Sequence, residues 1–236
     1  MELKCMTFNV QHCMNYVTRD IDYCLFARVI LQSGADIIGV NEIYEPQAEI
    51  LAEKLGYGFH FAPAIHVNGA YYGNALFTRR PLLAAETVMI PDPPVRDGAG
   101  YETRAAAVCR VAAGETELTV IVTHFGLNPE EQQNAASTAA GLLRPQNCIL
   151  MGDFNVTPEN EVLAPIRARM TDAADLFPAP LKSFPSDVPD RKIDYIFASP
   201  DLKITAADIP AVVASDHRPH TAVIRIETKN ERTDSI

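Results

Sequence analysis

Two polar residues, Asp153 and Asn155, follow directly on a short apolar run and carry side chains that could take part in chemistry. The apolar residues 148–151 are typical of a short buried strand, and Gly152 allows a tight backbone turn behind it. Ligands tend to bind where strands leave an open α/β sheet. A carboxylate and an amide at this point could bind the same small ligand, although a polar strand-to-loop turn explains the stretch equally well.

The same pattern recurs along the chain, because other polar side chains stand where apolar runs stop or begin. The full set is Asn9, Glu42, His124, Asp153, Asn155, Asp194, Asp216 and His217. If the strands lie side by side, their ends converge and these groups share one site. Each position alone has a structural explanation, such as a turn residue, but the whole set favours a shared site.

The residue types indicate which chemistry such a site would support. Asn9 and Glu42 offer only oxygen ligands, which suit a hard cation such as Mg²⁺ or Mn²⁺. His124 and His217 could contact a negatively charged substrate oxygen. Asp194 could orient His217 and stabilise its protonated form.

Asp153 is the residue that could align or deprotonate an attacking water, helped by Asn155. Its carboxyl is expected to be ionised at neutral pH, because the unperturbed pKa of aspartate is about 3.9. Arg104, at the start of an apolar run, could bind a phosphate oxygen. No serine or cysteine nucleophile with an adjacent base stands out, so water is the expected nucleophile.

Composition is compatible with one folded domain. Of the 236 residues 47% are hydrophobic, which is enough for a substantial core, and we predict a single domain over residues 1–228 with a polar tail at 229–236. The formal net charge of −10 does not steer the chain toward nucleic acid, although a local basic groove could coexist with it.

Localisation is predicted from cysteines and hydropathy. The five cysteines match no zinc pattern, and we expect them to be reduced, which suits the cytoplasm. The first residues lack the apolar segment of a signal peptide, and no apolar run is long enough to span a membrane. No protein partner can be inferred.

The predicted elements begin with alternating strands and helices, which indicates α/β layering. Residues 3–10 and 37–40 are expected to be strands, and residues 21–32, capped by Asp20, and 46–55 are expected to be helices. Further strands are predicted at 74–78, 103–111, 117–123, 148–151, 193–198, 202–209 and 221–226, helices at 129–143 and 158–170, and loops at 91–100 and 177–189.

A set of short motifs resembles the endonuclease/exonuclease/phosphatase superfamily, which has the DNase I-like fold. The motifs are residues 7–10 (Thr-Phe-Asn-Val), 41–42 (Asn-Glu), 73–79 (Gly-Asn-Ala-Leu-Phe-Thr-Arg), 123–124 (Thr-His), 152–155 (Gly-Asp-Phe-Asn), 193–196 (Ile-Asp-Tyr-Ile) and 215–217 (Ser-Asp-His). The resemblance covers nearly the whole chain. It implies an α/β (α+β) fold, a four-layer α/β/β/α sandwich of two mainly antiparallel sheets packed face to face and flanked by helices.

The resemblance also implies an enzyme, a Mg²⁺-dependent phosphoester hydrolase with water as its nucleophile. Position by position, it implies that Asn9 and Glu42 lie at the metal with Asp216 near it. Asp153 would activate or orient the water. The family more often has Gln-Glu where this chain has Asn41-Glu42.

The remaining family motifs imply contacts with the phosphate. Asn155 would orient Asp153 and contact the phosphate, and His217, paired with Asp194, would bind the scissile group. His124 and Arg104 would bind further phosphate oxygens, and Asn74 is a weaker candidate for the same role.

Three functions follow from this pattern. The first is a phosphodiesterase or phosphatase that acts on a small or lipid-derived phosphoester. The second is a nuclease of the same mechanism, although the basic DNA-gripping segments of repair nucleases are not evident in this sequence. The third is a catalytically silent binding module, which the presence of every candidate residue disfavours.

Overall fold

A computed structural model describes residues 1–96 and 100–226, and within these the chain forms two six-stranded β-sheets. The first sheet contains, in spatial order, β11 (Lys203–Asp208), β12 (His220–Arg225), β1 (Glu2–Asn9), β2 (Ile37–Tyr44), β4 (Ala70–Thr78) and β3 (Gly58–Val67). The second contains β5 (Leu82–Met89), β6 (Ala105–Ala113), β7 (Thr116–His124), β8 (Cys148–Asp153), β10 (Asp194–Ala198) and β9 (Thr171–Asp172).

Both sheets are mainly antiparallel. The parallel pairs are β1 with β2 in the first sheet and β7 with β8 in the second. The described helices are α1 (Tyr23–Ser33), α2 (Glu45–Leu55), α3 (Pro129–Leu142) and the short α4 (Ala164–Arg167). The predicted four-layer sandwich is therefore confirmed.

Three apolar clusters define the layers. Between the sheets, Leu3 and Ile37 of the first sheet pack in one cluster with Val120 and Met151 of the second. The outer face of the first sheet packs against α1 and α2, and the outer face of the second packs against α3 and α4. Each sheet thus buries both faces, which leaves the strand ends as the places where polar side chains can gather.

Helix α1 starts later than the sequence analysis predicted. The Asp22 carboxylate accepts a hydrogen bond from the Leu25 N–H at 2.9 Å, so Asp22 is the N-cap and the prediction of Asp20 was wrong. The end is as expected, because Gly34 has the left-handed conformation (φ 69°) that terminates a helix.

Two strands and one helix differ from the predicted elements. The sequence analysis did not identify β3, which contains Pro63, or β5, whose residues are mostly half-buried or exposed and lack a strong apolar signal. The predicted helix at 158–170 consists of a 3₁₀ turn, Glu161–Leu163, followed by α4. Pro165 lies in the first turn of α4, because a residue without an N–H is tolerated only there.

The domain boundary at residue 228 stays a proposal, and the predicted polar tail at 229–236 lies outside the described residues. Within the described residues, no helix has the length and apolar character needed to cross a membrane. All five cysteines are free, and Cys24 is the exposed one among them.

Candidate active site

The strand ends of both sheets meet at a cavity of about 480 Å³. The predicted site residues that line it are Glu42, Arg104, His124, Asp153, Asn155, Asp216 and His217. Asn9 and Asp194 lie directly behind the cavity, where they contact Asp153 and His217 respectively. The structure therefore brings nine of the ten predicted residues together.

Gly152 fixes the position of Asp153 at the end of β8. Its φ is 148°, and a Cβ built there would lie 1.8 Å from the Thr123 carbonyl oxygen, so a side chain cannot be accommodated. This close approach lets β7 and β10 flank β8 directly. In the strand register, Asp153 stands opposite both His124 and Asp194.

A β-bulge directs Glu42 toward the cavity. The pairing of β2 with β4 shifts register between Val40 and Ile43, and Glu42 there has a positive φ of 57°. A non-glycine residue in this region is strained, and such strain concentrates at functional sites.

Asn41, beside Glu42, ties the two sheets together beneath the site. Its side-chain Oδ1 accepts a hydrogen bond from the Asp153 N–H at 3.0 Å, and its Nδ2 donates to the Thr123 carbonyl at 2.9 Å. The position at which the chain departs from the family's more common Gln-Glu motif therefore holds the backbone of Asp153.

Asn9 aligns the two carboxylates nearest to it. Its Nδ2 donates to Glu42 Oε1 at 2.9 Å and to Asp153 Oδ2 at 3.0 Å. Its Oδ1 accepts from the Gln11 N–H at 3.1 Å. In this arrangement the amide oxygen of Asn9 faces the backbone, and its nitrogen faces the carboxylates.

Asp153 differs from the expectation of an ordinary, fully ionised carboxyl. Burial raises its pKa to about 7, and the Asp194 carboxylate adds to the rise. The positive charge of His217 and the hydrogen bonds from Asn9 and the Asn155 N–H act in the opposite direction. The expectation of a pKa near 3.9 was wrong, because the sequence does not show how deeply the group is buried.

His217 lies between two carboxylates. Its Nδ1 is 2.9 Å from Asp194 Oδ2, and its Nε2 is 3.5 Å from Asp153 Oδ2. Burial opposes its protonation, but these two carboxylates outweigh burial and raise the pKa of His217 to about 10. The ring therefore carries a positive charge at neutral pH.

His124 is held neutral with its proton on Nε2. The Arg104 guanidinium lies 2.8 Å from His124 Nδ1, and a guanidinium only donates, so Nδ1 must accept. Burial and then the charges of Arg104 and His217 lower the pKa of His124 well below its usual value. Its Nε2–H is 3.6 Å from Asp153 Oδ2. The Asn155 amide nitrogen, 3.2 Å from Nε2, is also a donor and gives its hydrogen bond to the Phe125 carbonyl, so it makes none to this tautomer of His124.

A left-handed turn after β1 brings two further residues to the site. Gln11, His12 and Cys13 have φ values of 43°, 59° and 56°. Gln11 Nε2 donates to Asp216 Oδ2 at 2.9 Å, and His12 lines the cavity. Sequence reasoning missed both residues, since three consecutive non-glycine residues with positive φ leave no compositional signal.

Family membership follows from a comparison with protein-family models. The model of the endonuclease/exonuclease/phosphatase family matches residues 6–217. This chain belongs to the endonuclease/exonuclease/phosphatase family. Members of the family are in general phosphoester hydrolases. A search of curated proteins finds no match.

Solved structures share the fold over nearly the whole chain. An endonuclease/exonuclease/phosphatase from Bacteroides vulgatus has 20% identity and a TM-score of 0.80, covering 96% of this chain and 100% of its own. A mannosyl-6-phosphatase from Bacteroides thetaiotaomicron has 17% identity and a TM-score of 0.77, with coverages of 95% and 100%. The catalytic domain of human Nocturnin, solved with bound sulfate, has 19% identity and a TM-score of 0.76, with coverages of 96% and 95%.

The site of this family member contains the donors that a hard cation requires. Ligand atoms of Glu42, His124 and Asp153 lie within 4.8 Å of one another. His124 carries its proton on the nitrogen that faces this group, so the carboxylates are the donors. The Asp216 carboxyl lines the same cavity. Burial and then the Glu42 charge raise its pKa, and the His217 charge opposes this rise. A cation would relieve this crowding of acids, and oxygen donors fit Mg²⁺ or Mn²⁺.

Asn74 is the predicted residue that the structure does not bring to the cavity. Its Nδ2 donates to the Ala105 carbonyl at 2.7 Å, and its Oδ1 accepts from Asn41 Nδ2 at 2.8 Å. Both ends of the amide are therefore engaged, the nitrogen with the second sheet and the oxygen with Asn41 of the first sheet. The contact with phosphate is not available to Asn74 in this arrangement, and its observed role is to support Asn41.

Proposed function

We propose that this chain hydrolyses phosphoesters of small molecules, with Mg²⁺ or Mn²⁺ bound and water as the nucleophile. One observation carries the proposal. Asp153 is buried at the floor of a cavity, 3.5 Å from the His217 imidazole and hydrogen-bonded to Asn9. Its pKa of about 7 is suited to a general base near neutral pH.

In the proposed reaction, the Asp153 carboxylate accepts the proton of the attacking water as the new oxygen–phosphorus bond forms. The bond between phosphorus and the ester oxygen breaks, and the alcohol leaves after taking a proton from solvent. The Asn155 N–H, 3.0 Å from Asp153 Oδ1, holds the carboxylate in one orientation. The protonated His217 stabilises negative charge on the phosphoryl oxygens, and Asp194 keeps that ring charged and aligned.

The phosphate would be bound by groups that converge from the second sheet. The Nε2–H of His124 and the side-chain amide of Asn155 face the floor of the cavity and can donate to phosphate oxygens. Arg104 sets the tautomer of His124 and also forms an ion pair with Glu102 at 2.8 Å. Its guanidinium lines the cavity and can bind a further oxygen.

Glu42 and Asp216 are the residues that would hold the divalent cation, with Asn9 aligning Glu42. When bound there, a divalent cation would neutralise negative charge that develops on the phosphate, an effect worth several kcal/mol of transition-state stabilisation.

The charge of the cavity favours a small substrate over a nucleic acid. Among the described residues, four carboxylates line it, those of Glu42, Glu102, Asp153 and Asp216. A polynucleotide presents further phosphates on both sides of the one being cleaved, and those phosphates need cationic partners. A small phosphoester or a lipid head group presents its phosphate alone.

The test is phosphate release by the purified chain from a panel of sugar phosphates, nucleotides, glycerophosphodiesters and DNA. We expect turnover of small phosphoesters with Mg²⁺ or Mn²⁺ and none in excess EDTA. We expect Asp153→Asn to lose at least about 100-fold in kcat, because Asn cannot accept the proton, and thermal unfolding checks that the variant folds. The matched control, Asp20→Asn, changes an exposed aspartate and should have no effect.

Four results would overturn parts of the proposal. Full activity in excess EDTA would show that the reaction does not need a divalent cation. Normal turnover by Asp153→Asn would show that Asp153 is not the general base. Cleavage of DNA in preference to every small phosphoester would replace the proposed substrate class with the nuclease alternative, and no turnover of any substrate would favour the binding module.

A further inference from the structure

Three aromatic rings form one side of the cavity and have no part in the proposed chemistry. His12, Tyr44 and Tyr72, here called the aromatic wall, line the cavity and contact one another. Their ring centroids are 5.1 Å apart for His12 with each tyrosine and 5.4 Å apart for the two tyrosines. The rings therefore form one continuous aromatic surface inside the site.

The backbone that presents His12 is strained. Left-handed conformations at Gln11, His12 and Cys13 are unfavourable for non-glycine residues, and they persist only where the surroundings hold them. Here Gln47 Nε2 donates to the His12 carbonyl at 2.9 Å, and Cys13 is fully buried. The turn places the His12 imidazole against the two tyrosines at the cavity.

The tyrosines of the wall stand on paired strands close to the proposed reaction centre. Tyr44 and Tyr72 are opposite each other in the pairing of β2 with β4, and Tyr44 follows Glu42 by two residues. Tyr72 is 6% exposed and lines the same cavity as Glu42. A phosphoester bound at Glu42 therefore has its organic group within reach of the wall.

The chemistry of the wall suits a flat aromatic ring better than a polyol. Ile65 and Val67 extend the wall along the cavity as apolar surface. The hydroxyl of Tyr44 already accepts a hydrogen bond from Asn68 at 3.1 Å. A sugar ring would need a polar partner for each hydroxyl, whereas an aromatic ring needs only ring faces and apolar neighbours.

The size of the cavity allows such a group. At about 480 Å³ it lies within the range of about 300–1,000 Å³ that holds small organic ligands, and is larger than a phosphate alone requires. Resting on the proposed hydrolysis, we infer that the aromatic wall binds an aromatic ring on the alcohol side of the phosphoester. The substrate class is then an aromatic phosphoester, of which a nucleotide is one source and an aryl-alkyl phosphate another.

The test compares three primary alkyl phosphates that differ in what the alcohol carries. They are adenosine 5′-monophosphate, benzyl phosphate and ribose 5-phosphate, each assayed as the monoester and as the methyl diester. We expect kcat/KM to be at least about tenfold higher for the first two than for ribose 5-phosphate, because base–aromatic stacking contributes binding energy of this order. Preference for the adenosine ester over the benzyl ester would identify a nucleotide, and equal rates would identify any aromatic alcohol.

Variants test whether the wall is the cause. In Tyr72→Leu and Tyr44→Leu we expect the ratio of kcat/KM for adenosine 5′-monophosphate to that for ribose 5-phosphate to fall about tenfold, mainly through KM. The matched control is Tyr71→Leu, which changes an exposed tyrosine that packs on His66 outside the cavity and should leave the ratio unchanged. Thermal unfolding shows which variants fold, and Tyr44, half-buried at the cavity, is the milder substitution.

The outcomes separate this inference from the proposed function. If ribose 5-phosphate is hydrolysed as well as the aromatic esters, or if the tyrosine variants slow all esters equally, the inference fails and the proposed function stands. If no phosphoester is hydrolysed, the proposed function fails. Binding of adenosine 5′-monophosphate to the Asp153→Asn variant, measured by calorimetry, then still tests whether the aromatic wall binds an aromatic ring. Absence of binding would overturn that inference.

Discussion

At the scale of single residues, the site is a set of buried charges that compensate one another. The imidazolium of His217 lies between the carboxylates of Asp194 and Asp153, and each of the three groups is buried. Removing one partner of such a set leaves an uncompensated buried charge, which is costly. The protonation state of His217 therefore depends on Asp194, which does not line the cavity itself.

Replacing Asp194 tests this dependence. Asp194→Asn keeps the size of the side chain but removes one of the carboxylates that raise the pKa of His217 to about 10. We expect kcat to fall on the order of 100-fold or more, because less of the ring is positively charged at the phosphate. Catalysis that needs the protonated ring is lost as pH rises through its pKa, so the basic limb of the pH–rate profile should move to lower pH.

The control for this variant is Asp190→Asn, which removes an exposed carboxylate that contacts Arg191. It should leave both kcat and the pH–rate profile unchanged. An Asp194→Asn enzyme with a lower kcat but an unshifted basic limb would contradict the assigned role and leave Asp194 with a purely structural one.

The sequence predicted most of the candidate residues that converge at the cavity, but not their protonation states. Asp153 and His217 stand beside apolar runs, which is a local signal. The pKa of Asp153 depends on burial by segments distant in sequence, and so could not be predicted. Asn74 was predicted to contact phosphate because its motif resembles one of the family. Its amide instead bonds to Asn41 and Ala105, which lie on other strands and so could not be identified from the local sequence.

At the scale of elements, the site depends on how closely β7 and β8 approach. The Gly152 backbone lies against the Thr123 carbonyl, and this approach puts His124 beside Asp153. The apolar runs and Gly152 allowed β8 to be predicted. By contrast, β5 was missed because it is an edge strand with many half-buried and exposed residues, so its sequence lacks a strong apolar pattern.

Gly152→Ala tests this approach. The added Cβ would meet the Thr123 carbonyl oxygen at 1.8 Å in a backbone conformation that L residues rarely adopt, so β7 and β8 must separate. We expect the free energy of unfolding, measured by urea denaturation, to fall by about 3 kcal/mol or more. We also expect kcat to fall more than KM rises, since His124 and Asp153 move apart.

The control is Gly141→Ala in α3, where an added Cβ meets no atom of the described residues within 4 Å. Alanine favours helix over glycine, so this variant should be stabilised by up to about 1 kcal/mol. If both variants have the stability of the parent chain, the close approach of the strands does not constrain the site.

At the scale of the whole molecule, the two sheets are joined by apolar contacts over most of their interface and by hydrogen bonds near the site. Asn41 and Asn74 donate from the first sheet to carbonyl groups of the second. His220 does the same, with its Nδ1 3.3 Å from the Asp194 carbonyl oxygen. The family resemblance predicted the layers, but these polar contacts depend on how the sheets are set against each other, which no local pattern encodes.

His220 makes the junction of the sheets sensitive to acid. Burial, and then the Lys192 charge, lower its pKa to about 3 from an ordinary 6.5. Between these values the unfolded chain binds a proton that the folded chain does not, so stability falls as pH decreases from about 6.5 toward 3. This group alone accounts for a loss on the order of 4 kcal/mol over that interval. His220→Gln keeps a hydrogen-bond donor for the Asp194 carbonyl and removes the titrating ring, so the unfolding free energy of the variant should depend less on pH below 6.5.

The measurement is urea denaturation of both proteins at a series of pH values between about 7 and 4. His66→Gln is the matched control, because it replaces an exposed histidine on β3 and should follow the parent chain at every pH. Other buried acids, Asp153 and Asp216 among them, have raised pKa values and stabilise the fold as pH falls, so only the difference between parent and variant isolates His220. Equal slopes for parent and His220→Gln would show that protonation of this ring does not weaken the junction of the two sheets.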